Sequence, residues 1–148
     1  MKTPKPFYIF LAILGFLGWI ILYVFQHELF YDPFKDYPIP IDRNGHIFLP
    51  PIETGKFILN KVFRYLLNDL CGILIVYGLF QRKEFIKLSF YIMLFGLIFI
   101  LPIYFILVFN FFTQVFPFLN HIHRLVMNPV LMLIIIPAFY YQIKNEKE

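Results

Sequence analysis

The run PFYIFLAILGFLGWIILYVF, Pro6–Phe25, holds twenty residues without one charge. No other feature constrains the chain as much. A bilayer's hydrocarbon core of about 30 Å takes roughly 20 helical residues, and a backbone crossing it must satisfy its own hydrogen bonds, as a helix does. The basic opening MKTPK resembles the start of a secretory signal, but the run is too long for one and no A-x-A cleavage pattern follows it. The expectation is an uncleaved transmembrane helix with Trp19 and Tyr23 toward its far interface.

Three further apolar runs follow: Lys61–Phe80, Leu88–Phe109 and Leu125–Tyr141. The third contains Pro102, which predicts a kink; the fourth contains Pro129 and Pro137 and is the shortest. The composition agrees. Of 148 residues 60% are hydrophobic and only 15% charged, against about 25% charged in soluble domains, and a chain this short has too little interior to hide that much apolar surface from water. The expected fold class is an all-α membrane protein, one domain over residues 1–148. It is a bundle of four transmembrane helices at about 6–25, 61–80, 88–109 and 125–141.

Basic residues give the orientation. With the N-terminus inside, the cytoplasmic side carries Lys2, Lys5, Arg82, Lys83, Lys87, Lys144 and Lys147, and the outside Lys35, Arg43, Lys56, Lys61, Arg64 and Arg124. The totals barely differ. The tight turn QRKEFIK and the two basic termini decide for both ends on the cytoplasmic side of the membrane. The small excess of basic charge is thus topological and not a nucleic-acid surface. The outer loop 26–55 is rich in proline: Pro38, Pro40, Pro50 and Pro51 exclude regular helix there, while Asn44-Gly45 suits a type I′ hairpin turn. Residues 110–124 mix aromatic and polar side chains and suit either an interfacial helix or a re-entrant piece.

The segment FRYLLNDLCG, 63–72, puts arginine, asparagine and aspartate inside an apolar run. At about 1.5 Å per residue, Arg64 lies roughly 25 Å above Gln81 and Arg124 about 27 Å above Gln142. The two arginines share a level near the outer boundary, with Asn68 and Asn128 one turn deeper. RYLLN and RLVMN repeat Arg-x-x-x-Asn, an i, i+4 face on each helix and a pattern that an old duplication of a helical hairpin would leave. Snorkelling accounts for Lys61 and for Arg124, but not for Asp69. That carboxyl is short and lies about 18 Å above the inner end, so it must be neutral, paired or in a wet cavity. Arg64 and Arg124 are its candidate partners, and Glu28 and Asp32, just past the first helix, are positioned to neutralise an arginine. The favoured arrangement is a packed polar cluster of Glu28, Asp32, Arg64, Asn68, Asp69, Arg124 and Asn128; a substrate cavity and plain snorkelling stay open beside it.

Catalysis has little support. Cys71, the single cysteine, invites a thiol peptidase or transpeptidase reading with His121 or His123 as base. Yet it lies about 15 Å above the inner end, against about 30 Å for the histidines, and a nucleophile and its base must approach to about 3 Å. His121-x-His123 is a weakly specific metal spacing. No nucleotide loop, metal site or cofactor motif is expected. A small transporter or channel is a further alternative, although four spans and one buried acid are a thin basis for coupled transport.

ELFYDPF after the first span, FRYLLN in the second and HRLVMNPVLMLIIIPAFYYQ in the last resemble the exosortase F system-associated proteins. These are small multi-pass proteins of flavobacteria and relatives, named for their pairing with an exosortase-type sorting enzyme. The resemblance runs over nearly the whole chain. It implies a non-catalytic accessory protein of the inner membrane with that sorting enzyme as its partner. The positions here that match the family are Glu28, Asp32, Arg64, Asn68, Arg124 and Pro129. The family carries no established activity to transfer, and the chain is too short to be an exosortase itself.

Overall fold

The computed structural model describes residues 5–33, 44–49, 51–128 and 130–145, and among these it is all-helical with no strand. Helix α1, Pro6–Val24, starts on a proline whose fixed φ suits a first helical turn and ends where Phe25 leaves helical geometry. One further turn, α2 (Gln26–Leu29), follows. Helix α3, Thr54–Phe80, is 27 residues long. Three helices are long and apolar enough to cross a membrane: α1, α3, and the continuous 28-residue rod Lys83–Asn110. The last is built of α4 (Lys83–Phe95), a π-turn (Gly96–Ile100) and α5 (Leu101–Asn110). Helices α6 (Phe112–Met127) and α7 (Val130–Asn145) complete the described chain.

Pro102 explains the π-turn. Its ring would press on the carbonyl four residues back, and it brings no N–H of its own. The helix widens just ahead of it, with Leu101 N–H reaching back five residues to the Gly96 carbonyl. The disturbance expected at Pro102 thus takes the form of a π-bulge just ahead of it. Between α3 and α4 the chain turns in two residues, with Gln81 in the left-handed region at φ 54° to close the helix. That position usually falls to glycine or asparagine.

Two expectations for the helices need correction. The helix expected over 61–80 starts at Thr54, seven residues ahead of Lys61, so the loop before it ends earlier and Lys61 sits two turns inside the helix. The fourth is not one helix over 125–141. Helix α6 carries Arg124 in its last turn and ends at Met127, and Asn128 is extended at φ −93°, ψ 151°. The residue before a proline is pushed out of helical geometry by the proline ring, and position 129 is proline in the sequence. Pro129 itself lies outside the described residues. Arg124 and Asn128 hence do not share a helical face, and the likeness to Arg64 and Asn68 is one of sequence only. Residues 112–124 form the body of α6, the most amphipathic of the longer helices. In the outer loop, Gly45 takes φ 83° as a tight turn needs. Residues 34–43, with the first limb of the expected hairpin and Pro38 and Pro40, and Pro50 lie outside the described residues.

The main core joins α3, the α4–α5 rod, α6 and α7 through Phe57, Tyr65, Met93, Leu101, Tyr104, Val108, Met127 and Met132. A smaller cluster at the C-terminal end of α3 stacks Phe85 on Phe139, ring centroids 4.1 Å apart and nearly parallel, with Phe80 edge-on to both. Helix α1 brings Trp19 against the edge of the main core and packs on α3 at very short range. A Cβ on Gly15 would sit 2.6 Å from the Cys71 carbonyl, and one on Gly78 2.6 Å from the Ala12 backbone nitrogen. Small residues that let backbones approach drive such pairing where no water is squeezed out. The other faces of α1 expose Phe7, Phe10, Ile13, Phe16, Leu17 and Ile20, as suits lipid.

Candidate functional site

All the polar side chains of the middle of α3 are buried: Lys61, Arg64, Asn68 and Asp69. They fall into three groups with different surroundings. Asn68 donates from Nδ2 to the Met127 carbonyl at 2.7 Å. That carbonyl belongs to the last turn of α6, where no further helical N–H is available to it. The buried end of a broken helix thus finds its donor on α3. The Asn68 carbonyl in turn accepts from Trp19 Nε1 at 2.7 Å, which ties α1 to the same level.

Asp69 turns elsewhere. Its carboxyl is hydrogen-bonded to the Tyr65 hydroxyl one turn back, and that hydroxyl reaches the Met93 carbonyl at 3.4 Å, just ahead of the π-turn. Gly96 leaves the space, since a Cβ there would fall on the Tyr65 hydroxyl. The expected pairing of Asp69 with Arg64 or Arg124 is not formed. Five residues apart on α3, Asp69 and Arg64 point to different faces, and a tyrosine at i−4 lies on the acid's own face.

Lys61 and Arg64 form the third group. One Arg64 Nη donates to Gln26 Oε1 on α2 at 2.7 Å, and the guanidinium lies 5.5 Å from the Phe30 ring. Lys61 is fully buried with Nζ 5.2 Å from the Phe57 ring. The snorkelling expected of Lys61 is therefore overturned, because the helix runs two turns past it and neighbours cover it. Asp32, half-buried and 3.5 Å from His27 Nδ1, lies within electrostatic range of Lys61, Arg64, Tyr104 and His123. Tyr104 and His123 Nδ1 share a hydrogen bond of 2.8 Å and close the site from α5 and α6. The segment after α2 is held down nearby, Tyr31 N–H donating to Asn60 Oδ1 at 3.0 Å.

Of the seven residues expected to cluster, Arg64 and Asp32 share one site, while Asn68 and Asp69 make separate bonds below it. Glu28 is exposed on α2 and Arg124 exposed on α6, so neither joins. Asn128 is half-buried at the helix break. Gln26, Tyr65 and Tyr104 are the residues that sequence reasoning passed over, while Lys61 and His123 were read there in other roles, as a snorkelling cation and as a candidate base or metal ligand. The i, i+3 spacing of Lys61 and Arg64 was a visible signal, but it carries meaning only once α3 is known to start at Thr54. His121 and His123 diverge, as two residues i, i+2 on a helix do, and no group of three metal-ligating side chains occurs among the described residues. Cys71 Sγ packs against Gly18 of α1, not against an imidazole. No protein-family profile, curated protein or solved structure matches the chain.

Proposed function

We propose that this chain is a non-catalytic accessory protein of an exosortase-type sorting system in the bacterial inner membrane, with both termini in the cytoplasm. The sorting partner comes from the resemblance at Glu28, Asp32, Arg64, Asn68 and Arg124. The observation that carries the non-catalytic part is how the polar residues of α3 are used. Asn68 is bonded to the end of α6 and Tyr65–Asp69 to the α4 carbonyl of Met93, so these groups fasten helices together, which supports a non-catalytic use of them. The exposed Glu28 and Arg124 are then surface charges free to meet a partner. The fourth crossing in this reading is discontinuous: the end of α6 supplies its outer part and α7, about 24 Å long at 1.5 Å per residue, the rest.

Co-purification in mild detergent tests the role. The tagged chain should retain the sorting enzyme, and the double change Glu28→Lys, Arg124→Glu should weaken that retention without lowering the yield of folded protein. A folded, abundant chain that retains no such enzyme would remove the sorting role. The enzyme alternative predicts that Cys71→Ala abolishes sorting; normal sorting in that variant leaves the thiol mechanism without support.

A further inference from the structure

Packing gathers cations that border the apolar spans onto one end of the bundle. Lys5 stands just ahead of α1, whose Tyr8 lies edge-on to Tyr77 near the end of α3. Arg82 and Lys83 form the turn into α4, and Lys87 follows one turn on. Phe139, stacked on Phe85, brings the last turns of α7 to the same place, with Lys144 beyond it. Among the described residues at this end, Glu84 is the one acid. The flanking residues 1–4 and 146–148 add Lys2 and Lys147 against Glu146 and Glu148, so their side chains leave the balance unchanged. Five bases less one acid give a side-chain charge of +4. At the other end of α3 the exposed Lys56 instead has Glu53 at 3.7 Å. Lys5, Lys83, Lys87 and Lys144 are exposed. Two of the five cations are also held in place: the Arg82 guanidinium lies 5.5 Å from the Phe85 ring, and Lys87 Nζ 5.7 Å from the Tyr91 ring. Cations steadied against rings lose less freedom when they meet a ligand.

We propose that this basic end binds the headgroups of anionic phospholipids in the leaflet around it, in preference to zwitterionic ones. Position argues for lipid. Each of the five cations lies within a turn of an apolar run, at the level where a bilayer places its phosphates, and basic clusters that border a span attract anionic lipid. Charge argues for the anionic kind. A phosphatidylcholine headgroup brings its own ammonium, which an end with five bases and one acid repels. The glycerol of phosphatidylglycerol brings no charge to offset its phosphate. Use of these cations to orient the chain is complete once the helices are inserted, whereas a preference for one headgroup belongs to the finished bundle. The surface stands on these residues alone, and depends neither on a sorting role nor on which leaflet it meets.

Electron paramagnetic resonance of spin-labelled lipids tests this on the full chain in phosphatidylcholine bilayers, with labelled phosphatidylglycerol and labelled phosphatidylcholine as the two probes. A headgroup seated beside one of these cations should gain about fivefold. Averaged with lipids that touch no cation, phosphatidylglycerol should associate about twofold or more above phosphatidylcholine. That ratio should fall toward unity at high salt, where screening acts within about 3 Å at 1 M. It should fall likewise in the triple variant Arg82→Gln, Lys83→Gln, Lys87→Gln. Lys56→Gln, at the other end, should leave it unchanged. Equal association of the two probes with the wild-type chain overturns the proposal whether or not a variant folds, and is what a purely topological use of these cations predicts. A preference that persists in the folded triple variant, or that Lys56→Gln removes, puts the anionic lipid elsewhere and overturns it as well.

Discussion

The two halves of α3 are held by opposite means. Its C-terminal half, from Cys71 on, fits its neighbours by shape: Gly78 lies against the backbone of α1, and Phe80 meets the stacked Phe85 and Phe139. Its N-terminal half fits by donors and acceptors, Asn60, Arg64, Tyr65 and Asn68 each reaching another segment and Asp69 bonded to Tyr65 on α3 itself. Within a membrane the hydrophobic effect does not favour one helix pairing over another, because lipid tails are as apolar as the helices. Close contact can hold a pair tightly without marking which part of a multi-helix chain it should meet. Hydrogen bonds to particular carbonyls do mark it. The halves divide those two tasks.

The shape-fitted half should suffer most from added volume. A Cβ at Gly78 would fall on the Tyr8 carbonyl and the Ala12 nitrogen, and backbone atoms cannot rotate away as a side-chain tip does. Gly78→Val should cost about 3 kcal/mol or more, at the upper end for overpacked cores. It is read as a loss of reversible-unfolding stability in detergent and as protease sensitivity of α1. A loss below about 1 kcal/mol would mean that α1 is held by something other than this contact.

The bonded half should suffer from a change that leaves volume almost alone. Asn68→Asp removes the amide that donates to Met127, and Asn68→Ala removes it with the side chain. Each leaves the last carbonyl of α6 unmet and should cost about 1–2 kcal/mol, given the modest worth of interhelical bonds in membranes. The effect should appear first as faster hydrogen exchange around residues 124–132, because the helix break loosens before the bundle does. Tyr65→Phe should follow at about 1 kcal/mol. It frees the Met93 carbonyl and strips Asp69 of its partner, with exchange rising ahead of the π-turn.

The sequence shows the two halves unequally. Long apolar runs announce α1, α3 and the Lys83–Asn110 rod, because length and hydropathy are local properties. Pro102 likewise announces a defect, although whether it kinks or bulges depends on the turn ahead of it. The start of α3 stays hidden: TGKFILN is neither apolar nor strongly polar, and the helix persists there because Phe57 packs on Phe105 and Phe109 of α5. That displacement alone turns Lys61 from an end residue into a buried one. Partners are harder still. Asp69 meets Tyr65 and not an arginine, and an aromatic hydroxyl among ten tyrosines gives no advance sign of facing an acid.

Arg124 is the smallest expected effect and the sharpest test of where the bonded region stops. In the sequence it looks like the equal of Arg64, each followed four residues later by asparagine. In the bundle Arg64 is buried against Gln26 and Phe30, while Arg124 is exposed in the last turn of α6. A cation there meets the negative end of the helix, worth about 0.3–1 kcal/mol at most, and surface substitutions usually stay within about 0.5 kcal/mol. Arg124→Gln should therefore leave the unfolding midpoint in detergent almost where it was. Arg64→Gln, in the same measurement, should cost about 1–3 kcal/mol, because it gives up the buried bond to Gln26. If Arg124→Gln instead costs as much as Asn68→Ala, α6 carries its arginine inward in the membrane, and the bonded region extends past the helix break into a true counterpart of the α3 face.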